Sequence, residues 1–132
     1  MEQDGPLKVV VGWLDAANRS DAERLLELSH ADIEVVGPRG SGFGHQLLVA
    51  WLSRAGLTVD TLRAFVRGDS VVVEQHGVWR SIDTGEVTGE RDLASRFRVE
   101  GGKVMQFQRY DTLDAALGDA GLDYADDVQR ND

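Results

Sequence analysis

From Thr58 to Asp111 the chain divides into four strand-length segments, about 58–67, 70–82, 86–99 and 103–111. Gly68-Asp69, Asp83-Thr84-Gly85 and Glu100-Gly101-Gly102 part them, residue types that make tight turns. The last segment, KVMQFQRYD, shows the pattern most plainly. Met105 and Phe107 alternate with Val104, Gln106 and Gln108, and the same face continues as Arg109 and Asp111. Two apolar residues followed by two charged ones on one strand face describe a pocket with a polar end.

The residues before Thr58 keep a different period. Leu7, Val10, Val11, Leu14 and Ala17 place one apolar face on a helix over Pro6–Asn18, with proline in the first turn. Ser20 and Glu23 have the spacing of a capping box opening a second, short helix with Ala22, Leu25 and Leu26 inward. Ile33–Val36 reads as a short strand; Gly37–Gly44 then holds four glycines in eight residues, of which Gly40–Gly44 reads as a flexible lip. His45–Ala55 is helical, with Leu48, Trp51, Leu52 and Ala55 on one side. Thr112–Leu122 closes as a helix with Leu113, Ala116, Leu117 and Ala120 facing in. Helices first and then consecutive antiparallel strands define an α+β fold, with the helices expected on one sheet face.

Composition narrows the function. The 132 residues suit one domain over 6–122, with a flexible start at 1–5 and a disordered acidic tail at 123–132. With no cysteine, thiolate catalysis, disulfides and cysteine zinc sites are excluded. Twenty-three acidic against 14 basic residues, a net charge of −9, and no basic stripe interleaved with aromatics argue against nucleic acid. There is no apolar run of membrane-spanning length and no signal-peptide pattern, so a cytoplasmic protein is expected. The three histidines, His30, His45 and His76, lack metal-ligand spacing, and Gly40–Gly44 lacks the dinucleotide-loop spacing; neither a metal nor a cofactor is expected.

The segments VVVGWLDAANRSDAERLLELSHADIEVVGP, GHQLLVAWLSRAG and FRVEGGKVMQFQRYDTLDAAL resemble the nuclear transport factor 2-like superfamily, which includes ketosteroid isomerases and SnoaL-like polyketide cyclases. The resemblance spans about residues 7–117. It implies a cone-shaped, strongly bent antiparallel sheet on three N-terminal helices, a cystatin-like α+β roll with a short C-terminal helix. It also implies a small apolar or carbonyl-containing ligand inside the cone, and a homodimer through the outer sheet face.

Strand periodicity assigns the cone lining. Leu93, Phe97 and Val99 alternate with Asp92, Arg96 and Arg98, which turns Arg91 and Ser95 inward with them. A three-residue loop at Glu100–Gly102 then sets Ser95 opposite Phe107 and Arg91 opposite Asp111. On 70–82 a two-residue Thr84-Gly85 turn would direct Val72, Glu74, His76 and Val78 inward. It would leave Val73, Gln75 and Trp79 outside as the dimer contact. The expected ligand-binding residues are Trp13, His45, Trp51, Arg91, Ser95, Phe97, Met105, Phe107 and Arg109, and the expected catalytic groups His76, Asp111 and Glu74.

Those charges admit two explanations. Arg91–Asp111 and Arg109–Glu74 are structural ion pairs at the rim, since a charge in an apolar cone needs a partner. Alternatively His76, with Asp111 or Glu74, relays a proton while Arg109 stabilises an enolate-like oxyanion, the chemistry of an isomerase, cyclase or hydratase. The ketosteroid isomerase mechanism is not expected. Its tyrosine, its base and its second aspartate correspond to Trp13, Gly37 and Ser95, so all three groups are missing. The cyclases use carboxylate and histidine groups, which Asp111 and His76 match in type. A non-catalytic binding or dimerisation module of the same fold is the remaining alternative.

Overall fold

The computed structural model describes residues 5–37 and 40–128. The elements are α1 (Gly5–Asn18), α2 (Ala22–Glu27), β1 (Ser29–Gly37), β2 (Gly40–Phe43), α3 (His45–Ala55), β3 (Leu57–Arg67), β4 (Ser70–Arg80), β5 (Val87–Glu100), β6 (Lys103–Tyr110) and α4 (Leu113–Ala120). A single 3-10 turn, Tyr124–Asp126, follows. The six strands form one sheet in the order β2-β1-β6-β5-β4-β3. All neighbours are antiparallel except β1 and β6, which run parallel. The expected α+β class is the one observed.

Local chemistry fixes the ends. The cap of α2 is Asp21, whose carboxylate accepts the Arg24 N–H, and not Ser20, which takes a positive φ of 55°. The serine–glutamate spacing was right for a cap and wrong by one residue. Helix α3 stops at Gly56, which takes φ +57° and whose carbonyl accepts the Arg80 N–H at 2.7 Å. The expected lip is strand β2 from Gly40 onward, paired along β1 from Glu34 to Gly37.

The sheet is buried on both faces. On one, Val10, Trp13 and Leu14 of α1, Leu25 of α2 and Leu48 of α3 pack against Val71, Val73, Phe97, Val99, Val104 and Phe107. On the other, Leu113, Ala116 and Leu117 of α4, with Leu122, cover Phe65, Val72 and Ala94. The helices therefore do not share one face. The long expected tail is also corrected in part. Arg67 holds Asp126 at 2.7 Å, Tyr124 packs edge-on against Phe65, and the Val128 N–H reaches the Ala64 carbonyl. Residues 123–128 are thus seated on β3, and residues 1–4 and 129–132 lie outside the described residues. No helix among the described residues is long and apolar enough to cross a membrane.

Two bulges set which side chains face α1. Between β4 and β5 the pairs are Arg80–Val87 at the loop and Trp79–Gly89 next, so Thr88 is an extra residue on β5. One extra residue exchanges the faces of β4 relative to β5. Between β5 and β6, Gly101 and Gly102 make a two-residue turn with φ of 60° and 79°. Val99 pairs with Val104 and Arg98 with Gln106, which leaves Met105 as the extra residue. That displaces the expected register by two and keeps the faces.

Candidate functional site

The concave, α1-facing side of β4 carries Val71, Val73, Gln75, Gly77 and Trp79. Val71 and Val73 are in the helix-side core, whereas Val72 belongs to the core under α4. Glu74 and His76 therefore point away from the cone, contrary to expectation. Glu74 is ion-paired with Arg63 at 3.0 Å, so the Arg109–Glu74 pair does not form. His76 lies between Asp92 and Glu90, with each ring nitrogen 2.8 Å from a carboxylate oxygen. These two carboxylates, Asp92 first, hold the imidazole above its ordinary pKa. Two of the three expected catalytic groups are thus separated by the sheet from the third. Val73 and Gln75, the expected dimer contacts, are fully buried under the helices.

The remaining residues do converge. A cleft of about 560 Å3 opens between β1 (Val35–Gly37), α3 (Trp51), the end of β6 (Phe107–Tyr110) and the start of α4; Arg91 and Asp111 stand at its edge. Arg91 and Asp111 form the expected rim pair, with Nη2 to Oδ1 at 2.6 Å. Asp111 is 81% exposed, so it serves at the mouth and not inside the cone. Past Trp51, Phe107 and Arg109, which line both spaces, lies an inner chamber of about 20 Å3. Trp13, Leu14, Leu57, Val59 and Leu93 make it apolar, and Asn18, Gln75, Ser95 and Arg109 are its polar members.

The aromatic wall is continuous. Trp13 stacks on Trp51 at 6.1 Å between centroids and meets Phe97 and Phe107 at 5.2 and 5.0 Å. Trp13 is fully buried and its indole N–H donates to Ser29 Oγ at 2.9 Å, so its polar atom is already committed. His45 is likewise committed, donating from Nε2 to the Ser29 carbonyl at 3.1 Å. Met105, set apart by its bulge, is half-buried, and Val104 takes the core position there. Trp51, Ser95, Phe97 and Phe107 stand where periodicity placed them.

Arg109 pairs in register with Ser95 and occupies the junction of cleft and chamber. Among the described residues it has no ion-pair partner; its guanidinium lies 5.8 Å from the Trp79 ring centroid, and that of Arg91 lies 6.0 Å from the same ring. Desolvation, then repulsion from Arg91, lowers the Arg109 pKa, and Asp111 opposes this. Trp79, assigned outside by the expected register, is instead the platform for both arginines. Gln75 was missed for the same reason. A signal existed in β4 itself: its odd-numbered residues after Ser70 are Val, Val, Gln, Gly and Trp, and its even-numbered ones include Glu74, His76 and Arg80. The uncharged side is the one facing the cone. No group of three or more metal-ligating side chains suited to an ion occurs among the described residues.

This bent sheet with helices over a ligand-sized cleft is a nuclear transport factor 2-like architecture. A family model described as "SnoaL-like domain" matches residues 10–107, and the chain belongs to that family. Among solved structures, a nuclear transport factor 2-like protein from Burkholderia xenovorans is 26% identical, with a TM-score of 0.66 over 91% of this chain and 98% of that one. TerC, co-crystallised with polyporic acid, is 19% identical, with a TM-score of 0.69 over 87% and 96%. A ketosteroid isomerase-like fold from Catenulispora acidiphila, in complex with trimethylamine, is 22% identical, with a TM-score of 0.64 over 87% and 93%. No curated protein matches the sequence.

Proposed function

We propose that this SnoaL-like domain binds a small, flat, apolar compound through an acidic or carbonyl end, and does not turn it over by acid–base chemistry. Arg109 carries the reading. Among the described residues it has no ion-pair partner, Asp111 acting on it only at a distance, and it is held between an open cleft and an apolar chamber, where an anionic group would offset both its desolvation and its repulsion from Arg91. Trp51 and Phe107, 5.3 Å apart, supply the aromatic wall for the rest of the molecule. Co-crystallisation of TerC with an acid fits this class of ligand, whereas the trimethylamine complex shows that the fold alone does not select it.

The isomerase, cyclase or hydratase alternative is weakened at the site itself. Among the described residues neither histidine nor carboxylate lines the inner chamber, and Glu74 and His76 engage partners on the opposite face. General acid–base work needs such a group within hydrogen-bond reach of the substrate proton.

Titration with 2-naphthoate and with 2-ethylnaphthalene, followed by tryptophan fluorescence, tests the reading. The acid is expected to bind at least ten times more tightly than the hydrocarbon, and Arg109→Met to abolish that preference. Equal affinity of the two compounds, or a preference that survives Arg109→Met, would overturn it.

A further inference from the structure

Gln75 is the buried polar group that the cone does not satisfy internally. It is 1% exposed and lies in the middle of β4, facing the inner chamber. Ser95, itself buried, donates its hydroxyl to Gln75 Oε1 at 2.9 Å. Among the described residues the amide nitrogen, Nε2, has no hydrogen-bond partner. A buried amide N–H left unpaired is costly, and native proteins retain few.

Two features explain what such an amide is for. The Ser95 hydroxyl donates to the oxygen end of Gln75, and in this orientation the two N–H bonds are the end available to the chamber. The chamber is large enough for one or two atoms and is too small for a ring. Ser95 pairs with Arg109 across β5 and β6, and Gln75, which pairs with Leu93, reaches the Ser95 hydroxyl diagonally from β4. Gln75 Nε2 and the Arg109 guanidinium are donors only.

We propose that Gln75 is the specificity-determining residue of the cone, donating from Nε2 to a terminal acceptor oxygen of the ligand, a carbonyl or carboxylate oxygen that alone enters the chamber. Ser95 is its positioning residue. The ring system stays in the cleft against Trp51 and Phe107, and Arg109 holds the same oxygenated end from the chamber mouth. A hydroxyl acting only as donor finds no acceptor beside these two groups. This inference rests on the ligand-binding reading above and narrows it to aryl ketones, quinones and aryl carboxylates.

The test uses the full chain and three probes: 2-acetylnaphthalene, 2-naphthoate and 2-ethylnaphthalene. Gln75→Met keeps length and volume while removing both donor and acceptor. It should weaken 2-acetylnaphthalene and 2-naphthoate by about tenfold each and leave 2-ethylnaphthalene unchanged. In nitrogen-15 spectra of the unaltered chain, the Gln75 side-chain amide should shift with 2-acetylnaphthalene and stay in place with 2-ethylnaphthalene. Ser95→Ala, which releases the amide, should cost the ketone a few-fold and the hydrocarbon nothing. Retention of full ketone affinity by Gln75→Met, or an unmoved amide at saturation, would overturn the role of Gln75 while leaving Arg109 as the anion site. Failure of all three probes to bind the unaltered chain would overturn this inference and the ligand-binding reading together.

Discussion

Ser95 and Arg109 face each other across β5 and β6, one fully buried and the other at the mouth of the cleft. The pair joins the floor of the cone to its opening. Among the described residues, the polar side chains lining the inner chamber are this pair, Gln75 and Asn18, whose side chain is occupied by both the N–H and the carbonyl of Val59. Among the described residues the lining of the chamber therefore offers hydrogen-bond donors and includes no carboxylate or histidine.

The rim pair separates binding from catalysis. Asp111→Asn removes a charge that lies 2.6 Å from Arg91 and is largely in solvent. Stability in urea should change by less than about 1 kcal/mol, as is usual for exposed pairs. Loss of the negative charge should raise the affinity of 2-naphthoate a few-fold, read by fluorescence titration. A fall in affinity would show that Asp111 contributes more than charge at the mouth.

His76 makes the fold, and not the site, sensitive to pH. Asp92 and Glu90 raise its pKa in the folded state. The stabilisation they give is complete below the unfolded value, about 6.5. It is lost as pH rises through the higher folded value. Melting temperatures recorded between pH 5 and 9 should fall for the unaltered chain across that window, relative to His76→Gln. Naphthoate binding at pH 7 should be the same in both, because the imidazole lies on the opposite side of the sheet from the cleft.

Trp13 is the keystone of the helix-side core, in contact with three other aromatic rings. Trp13→Phe removes ring volume and the bond to Ser29. It is expected to cost about 2–3 kcal/mol in urea unfolding. Trp51→Phe, at a half-buried position, should cost less and weaken naphthoate binding more. That reversal distinguishes packing from ligand contact.

Gly56 is the backbone position least open to change. A Cβ there would stand 2.4 Å from the Arg80 carbonyl oxygen, on a residue with φ +57°. Gly56→Ala should lose about 2 kcal/mol or more by denaturant titration. Gly85→Ala, with positive φ but open space around it, should lose less.

The parts of the fold legible in the sequence are those set by local period. His45–Ala55 is a helix over the same residues as its apolar stripe, and the odd face of β5 points into the cone as Leu93, Phe97 and Val99 indicate. The illegible parts depend on pairing. Val71, Val72 and Val73 are apolar in succession, so β4 carries no alternation where its register has to be chosen. Thr88 decides it, and its hydroxyl, bonded to the Trp79 carbonyl at 3.3 Å, has no signature in a turn that reads as Asp-Thr-Gly. The seated chain end was hidden for another reason. Its attachment rests on partners far away in sequence, among them Arg67, Phe65 and the Ala64 carbonyl.

The extra residue at Thr88 has a consequence for how such a cone can acquire new chemistry. Strand β4 carries an imidazole and a carboxylate on one side and an amide and an indole on the other. Deleting Thr88 would leave Arg80–Val87 and Trp79–Gly89 as consecutive pairs, so only a one-residue slide of the whole of β4 against β5 would turn Glu74 and His76 into the cavity in place of Gln75 and Trp79. Such a slide would take Val71 and Val73 out of the core under α1 and bury two ionisable groups, a large penalty for a fold of this size. Loss of the one bulge residue therefore leaves the lining of the cone as it is, and folding stability, more than side-chain supply, keeps the imidazole and the carboxylate on the outer side of the sheet.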